Sequence, residues 1–381
     1  MPNRHPSVEP VPAKPVDGPS FGVILQEAWR NFTGSVTRGL VFGLAMLVLC
    51  GGVAGAQARM VVGLAQEAAA FRQSGAAVWI MSQPGGIGGA QCDALASLPG
   101  VVASGGLRAG ALLRLAVIPS TPVTLWEVTP GFADLLDGAK ATTPRAGVWL
   151  SDDLAQRIGA TASTTAVPVA DGSQLKVAGV YRYPTDGRLP ILSYTMLSPV
   201  ASDQPFDQCW VMAWPQPGVA ATVLPLALLP TGSGPGVQQA TPTTTQLNST
   251  LGSSFDGPAK FAALPLLLLT LACMVIGAGL GYTSIRTRRL EMACSLHMGM
   301  PRRALNMQIA AETLIWTLLA VIVATPACIL AATVNNPGDI WAAYYPSLRS
   351  LIASIAAVVL GALGAMMLIR EKHFFRYFKH G

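Results

Sequence analysis

The sequence carries little charge for its length. Of 381 residues only 12% are Asp, Glu, Lys or Arg, against roughly 25% in soluble globular proteins, whereas 51% are hydrophobic. The 29 prolines scattered along the chain exclude a coiled coil or a fibre. The apolar fraction excludes a wholly disordered chain. This composition predicts a membrane protein.

The sequence also lacks the motifs of several enzyme classes. It contains no G-x-x-x-x-G-K-[ST] loop for nucleotide phosphates and no H-E-x-x-H or G-x-S-x-G motif for hydrolysis. Its histidines are His5, His297, His373 and His380. No basic block typical of nucleic-acid binding is present. We therefore predict no catalytic residue, no metal site, no cofactor bound by this chain and no nucleic-acid partner.

Four charge-poor runs are long enough to span a bilayer. A helix crosses about 30 Å of hydrocarbon with about 20 residues. The predicted transmembrane helices are residues 39–58, 261–285, 305–334 and 350–369, and Glu312 is the one acidic residue inside them. Gly55–Ala58 has the A-x-A pattern of a signal-peptide cleavage site, but the 38 residues before the first run favour an uncleaved anchor.

The distribution of Lys and Arg predicts the orientation, because basic residues beside spans stay preferentially in the cytoplasm. The loop 286–304 holds five arginines against one glutamate, and the tail 370–381 is also basic. Both termini are therefore predicted to be cytoplasmic, in a bacterial cytoplasmic membrane. Residues 59–260, with 11 basic and 12 acidic residues, and the loop 335–349 are then extracytoplasmic.

The residues before the first span divide into two segments. Residues 1–19 contain six prolines and predict a disordered tail. Residues 20–38 predict an amphipathic helix lying on the membrane surface. The alternative is the core face of a small soluble helix. The apolar stripe consists of Phe21, Ile24, Leu25, Ala28, Trp29, Phe32 and Val36.

The extracytoplasmic segment predicts a mixed α/β domain inserted between transmembrane helices 1 and 2. Asp152 to Ile158 has helical character with Ser151 or Asp152 as N-cap, and Asp171-Gly172 predicts a hairpin turn. Residues 217–254 are rich in Pro, Thr, Gly and Ser and predict a loop that returns to the second span, with Val223 to Leu229 as an alternative strand.

Two cysteines lie in the extracytoplasmic segment, Cys92 and Cys209. Two cysteines in an oxidising compartment usually pair, so a disulfide is predicted. The alternative is two buried free thiols.

The loop between the second and third spans has an apolar stripe. Leu290, Met292 or Ala293, Leu296 and Met300 recur at helical spacing, which is typical of a short helix that docks into a partner's groove. The alternative is an ordinary loop that fixes topology.

Glu312 is an ionisable residue just inside the third span. Such residues are usually paired or face the bundle interior, although this one could also snorkel to the interface and pair with a nearby arginine.

This loop resembles the signature of FtsX-like permeases of the MacB and LolC/E type. In that signature a basic pair and a glutamate precede an apolar stripe, a glycine, a further arginine and an early glutamate in the next span. The matching residues are Arg288, Arg289, Glu291, Met292, Leu296, Gly299, Met300, Arg302, Arg303 and Glu312. The segments 148–159 and 171–181 are similar to parts of the family's exported domain. His297 and the glycine-free stretch 161–165 depart from it.

The resemblance implies a type VII ABC transporter permease subunit with no enzymatic activity of its own. ATP and Mg would be bound by a separate dimer of cytoplasmic ATPase subunits, and the matching loop residues would couple to it. The permease would pair with a second copy or a similar subunit, and an adaptor or a hydrolase could join outside. Alternatives are an FtsX-like non-transporting regulator of a cell-wall hydrolase and a simple membrane-anchored binding protein.

Overall fold

The computed structural model describes residues 21–34, 38–136, 147–161, 164–230 and 241–369. These form two compact units, one containing residues up to Gln66 and from Ala262 onward, the other Glu67–Phe261. The predicted tails 1–19 and 370–381 lie outside the described residues. The helices are α1 Phe21–Thr33, α2 Gly39–Met46, α3 Gly52–Gln73, α4 Gly89–Ala94, α5 Asp152–Ile158, α6 Val219–Val223, α7 Gly257–Ala263, α8 Leu266–Arg286, α9 Arg289–His297, α10 Arg302–Thr333 and α11 Ile340–Met367.

Four helices in the described part of the chain are long and apolar enough to cross a membrane. They are Gly39–Gln73, in which a π-helical turn at Leu47–Gly51 joins α2 to α3, then Gly257–Arg286, α10 and α11. Together with a sheet-containing unit they form a helical membrane protein with a mixed α/β domain. The extracytoplasmic position of that domain remains a prediction.

Helices α8 and α11 pack closely because glycine lies at their contact. A Cβ atom on Gly281 would lie 2.0 Å from the Val358 carbonyl oxygen, and one on Gly361 would lie 2.1 Å from the Ala278 carbonyl oxygen. Small residues that let backbones approach are typical of helix pairs in membranes. Larger side chains at either glycine would force these helices apart.

The long helices exceed the predicted spans. The first continues fifteen residues past position 58, and α11 begins at Ile340 instead of residue 350. The predicted spans were bounded by Arg59 and Arg349 because these residues are charged, yet both arginines lie inside helices. Arg59 donates to the carbonyl oxygen of Val334 at 2.8 Å, just beyond the C-terminus of α10. A cation there satisfies a free carbonyl group and interacts favourably with the helix dipole.

Helix α1 packs against α10, which corrects the prediction that its whole apolar stripe faces the membrane. Ile24 and Ala28 are buried, whereas Leu25 and Trp29 are 47% and 55% exposed. The reason is the length of α10. Its 32 residues extend about 48 Å, beyond the roughly 30 Å of hydrocarbon, and so provide a protein surface for α1.

The second unit contains one mixed nine-stranded sheet over the described residues, in the order β5-β6-β4-β7-β3-β2-β8-β1-β9. The pairs β3–β7 and β4–β6 are parallel, and the others are antiparallel. The strands are β1 Val78–Gly88, β2 Val101–Arg114, β3 Pro122–Val128, β4 Val148–Ser151, β5 Ala166–Pro168, β6 Gln174–Tyr181, β7 Thr195–Pro199, β8 Pro205–Ala213 and β9 Thr243–Gln246.

Strand β8 is buried on both faces. Trp210 packs into one apolar cluster, while Cys209 and Val211 pack into another. Successive strand residues point to opposite faces, so this burial places β8 between two core layers. Cys209 forms a disulfide with Cys92 of α4, which joins one of these layers to the sheet.

Local predictions within this unit have mixed outcomes. Helix α5 begins after Ser151, whose hydroxyl accepts a hydrogen bond from the backbone of Leu154, and β5 and β6 form the predicted hairpin around Asp171. The candidate strand Val223 to Leu229 is wrong. Its residues instead end α6 and form a 3₁₀ turn at Leu224–Ala227, whose buried Leu224 and Ala227 pack into the core.

Candidate functional site

The segment between α8 and α10 is built around one buried arginine. Arg288 lies between Arg286, the last residue of α8, and α9, and its side chain is only 8% exposed. The guanidinium donates to both oxygens of Glu291 at 2.6 and 2.9 Å. A second branch donates to Glu312 of α10 at 2.6 Å. Arg288 therefore connects α9 to α10 through two carboxylates.

The Glu312 carboxylate is also a junction of three segments. It is 3% exposed and accepts hydrogen bonds from Asn31 of α1 at 2.7 Å and from Gln308, one turn earlier in α10, at 3.1 Å. A buried carboxylate is stable only when it is paired and its lone pairs are satisfied. Arg288, Glu291, Glu312, Asn31 and Gln308 are called the Arg288 cluster below. This cluster holds α1 and α9 to the same site on α10.

Burial alone would lower the pKa of Arg288. Glu291 and Glu312 outweigh this effect, by hydrogen bonding and by their charges, and raise the pKa above its ordinary value. The guanidinium therefore stays charged at neutral pH.

The apolar side of α9 packs within this chain. Met292, Ala293 and Leu296 are buried together with residues of α10 and α11, among them Leu305 and Met366. This corrects the prediction that the stripe fills a partner's groove. The sequence pattern predicts an apolar face correctly but does not distinguish a partner's surface from the chain's own helices.

The opposite side of α9 and the turn after it are open. Leu290 is 37% exposed, Met298 is 88% exposed, and Cys294 lies on the same open surface. Gly299 has φ +88° and lies just past the end of α9, a position and conformation typical of glycine. Met300 packs at the edge of the buried cluster.

The basic residues that follow Gly299 in the signature lie outside the Arg288 cluster. Arg302 and Arg303 are exposed in the first turn of α10, and Arg302 donates to the carbonyl oxygen of Ile369 at 3.5 Å. Arg289 is half-buried at the start of α9. Of the predicted loop residues, the structure thus brings Arg288 and Glu291 to Glu312 and leaves Arg302 and Arg303 at the surface.

A second buried polar cluster connects α3, α8 and α11, and the sequence analysis missed it. Gln57 donates to the Leu266 carbonyl oxygen at 2.9 Å and accepts from Ser350 at 2.7 Å. Ser350 also shares a hydrogen bond with Thr270 at 2.8 Å. Polar side chains that bond across membrane helices fix their relative positions. The sequence feature that could have indicated this cluster is Gln57, a glutamine within an otherwise apolar run.

No protein-family model and no curated protein match the chain. Among solved structures it is similar to a crystallised domain of a protein provisionally described as a permease, from Porphyromonas gingivalis. The identity is 14%, the TM-score is 0.29, and the match covers 43% of this chain and 95% of that domain. A similarity of this size does not establish a shared fold or function.

Proposed function

We propose that this chain is the permease subunit of a MacB-like ABC transporter. A separate ATPase would hydrolyse ATP in the cytoplasm, and this chain would convert that work into a conformational change of its sheet unit. The cargo would be a peptide, an antibiotic or a lipid-like molecule. The proposal combines the resemblance of the α9 segment to FtsX-like permeases with the way this segment is held.

The observation that carries the proposal is the double attachment of α9. Its apolar side is packed on α10 and α11, and Arg288 at its start is bonded to the buried Glu312. A helix held in both ways moves with the bundle when it is pushed, whereas a loosely held loop would absorb the push. Helix α9 is therefore suited to receive force from a partner.

The surface offered to the ATPase is the open side of α9, and not the side that buries Met292, Ala293 and Leu296. Leu290, Cys294 and Met298 lie on this side. A methionine as exposed as Met298 is adaptable and suits a groove that changes shape during a cycle. The first and second long helices, Gly39–Gln73 and Gly257–Arg286, both include residues of the sheet unit, so movement would be passed through these two segments.

The spans support force transmission over passage through a polar channel. Glu312, the acidic residue of α10, is fully engaged by Arg288, Asn31 and Gln308. Polar channels need ionisable or polar groups free to face a pore. Two copies of this chain, or one copy and a similar subunit, would then work with an ATPase dimer.

The proposal is tested with the full chain purified from its native membrane together with its bound proteins. We expect the preparation to hydrolyse ATP at a rate that depends on the permease. The L290A/M298A variant should lose most of this dependence. The matched control is Met307→Ala, which removes an exposed methionine on α10. A preparation without ATPase, or full coupling in L290A/M298A, would contradict the proposal.

A further inference from the structure

We propose that a groove between the first and third spans binds an anionic phospholipid. The groove lies between α2 and α10 and has a volume of about 180 Å³. Gly39, Gly43, Trp316 and Ala320 form its lining, with Leu44 and Val323 among the flanking residues. Glycine at two positions one turn apart leaves the space that larger side chains would fill.

The position of the two helices that form the groove indicates what kind of molecule it binds. Both walls belong to helices long and apolar enough to span a membrane, and the flanking Leu44 and Val323 are 60% and 58% exposed. A groove with such walls opens into hydrocarbon, where the available molecules are lipid chains. Its shape and apolar lining fit an acyl chain.

The groove continues toward an aromatic surface at one end. Phe32 of α1 lines the groove, and its ring centroid is 6.0 Å from that of Trp29, which is 55% exposed. Leu25 lies beside Trp29 on the same side of α1, one turn away. Exposed tryptophan is typical of the level where acyl chains meet headgroups. This end of the groove therefore marks the membrane interface, which the predicted orientation places in the cytoplasmic leaflet.

A positive charge lies at the same end. Arg38 is exposed, directly precedes Gly39 and makes no ion pair with a residue that the structure describes. Arg30 of α1 is also exposed but is partly neutralised by Glu27 at 3.6 Å. An anionic headgroup beside Arg38 complements the acyl chain in the groove. Charge thus selects an anionic phospholipid over a zwitterionic one.

The test uses the full chain in phosphatidylcholine nanodiscs that contain a small fraction of phosphatidylglycerol with a photoactivatable diazirine in its acyl chain. Cross-linked peptides are mapped by mass spectrometry. We expect labelling at Leu44 and Val323 to exceed that at Leu267 and Leu268, which are equally exposed on α8, by at least several-fold. The same probe with a phosphatidylcholine headgroup should show a much smaller preference.

Two variants locate the site. Gly43→Leu should abolish the preference, because a Cβ there lies 3.5 Å from the Trp316 carbonyl oxygen, an ordinary contact, and the rest of the side chain fills the groove. Gly43→Ala shows whether the helix pair tolerates the added Cβ. Arg38→Gln should reduce the preference several-fold, whereas Arg286→Gln at the end of α8 should not.

Three results would overturn the proposal. Equal labelling of all lipid-facing residues would indicate bulk lipid only. If the phosphatidylglycerol and phosphatidylcholine probes label Leu44 and Val323 with the same preference, Arg38 does not select an anionic headgroup. Efficient disulfide formation between two Leu44→Cys chains would place a second copy in the groove. None of these readouts requires ATP or a partner, so they stand apart from the test of ATPase coupling.

Discussion

Removing Arg288 should destabilise the bundle strongly, because its loss leaves a buried charge. In Arg288→Met the Glu312 carboxylate, 3% exposed, keeps only the amide donors of Asn31 and Gln308. Breaking a buried ion pair by removing one partner costs about 3–5 kcal/mol. We expect a loss of that size in the free energy of unfolding.

Removing the carboxylate instead should cost less. In Glu312→Gln the guanidinium of Arg288 keeps its two bonds to Glu291, so the loss is about 1.5–3 kcal/mol, the range for a hydrogen bond to a charged group. The double variant R288M/E312Q contains no buried unpaired charge at the junction, because the remaining carboxylate, Glu291, is 43% exposed and stays hydrated. It should therefore be clearly more stable than Arg288→Met alone, and the coupling energy of the pair should be at least about 2 kcal/mol.

The assay is reversible unfolding of the full chain in mixed micelles at pH 7, followed by tryptophan fluorescence for all four members of the cycle. The matched control is the exposed pair Glu27 and Arg30 of α1, whose coupling energy should be below about 0.5 kcal/mol. If the Arg288–Glu312 coupling is as small as that of the control pair, the buried junction does not hold α9 to α10 and the reasoning is refuted.

Two predictions concern the sheet unit. Replacing Cys92 and Cys209 by alanine removes a disulfide between residues 117 positions apart. This should lower the free energy of unfolding by about 2–5 kcal/mol. An unchanged denaturation midpoint would contradict this prediction. Burial alone would raise the pKa of Asp186, but the hydrogen bonds and charge of Arg188 outweigh it and lower the pKa. The stability from this pair is present above the unfolded pKa of about 3.9 and lost as pH falls through the lower folded value. Asp186→Asn should flatten that part of the acid unfolding profile, and an unaltered profile would argue against the pair.

Features that depend on neighbouring residues could be predicted from the sequence. The N-cap at Ser151 and the turn at Asp171 use local side-chain hydrogen bonds, so a few residues contain the whole signal. The long apolar runs predict helices because few other structures satisfy their backbone in lipid. Their ends were less predictable, since Arg59 and Arg349 are tolerated inside helices that extend beyond the hydrocarbon.

Features that depend on distant contacts could not be predicted in the same way. An apolar stripe indicates that a helix face is covered but not by what, and α10 proved to cover part of the α1 stripe and, together with α11, the buried side of α9. The parallel pairing of β3 with β7 joins residues about seventy positions apart. Glu312 carried a clear signal as an intramembrane charge, but its bond to Asn31 joins segments 281 positions apart.

The side of the membrane on which α9 lies tests the account most directly. Cys294 is the exposed free thiol of the six cysteines, because Cys50, Cys273 and Cys328 are buried and the other two form the disulfide. A membrane-impermeant maleimide should therefore label the native chain in inside-out vesicles but not in intact spheroplasts, and Cys294→Ser should remove the signal. Labelling of Cys294 in intact spheroplasts would place α9 outside the cell, beyond the reach of any cytoplasmic ATPase, and would contradict the proposed function.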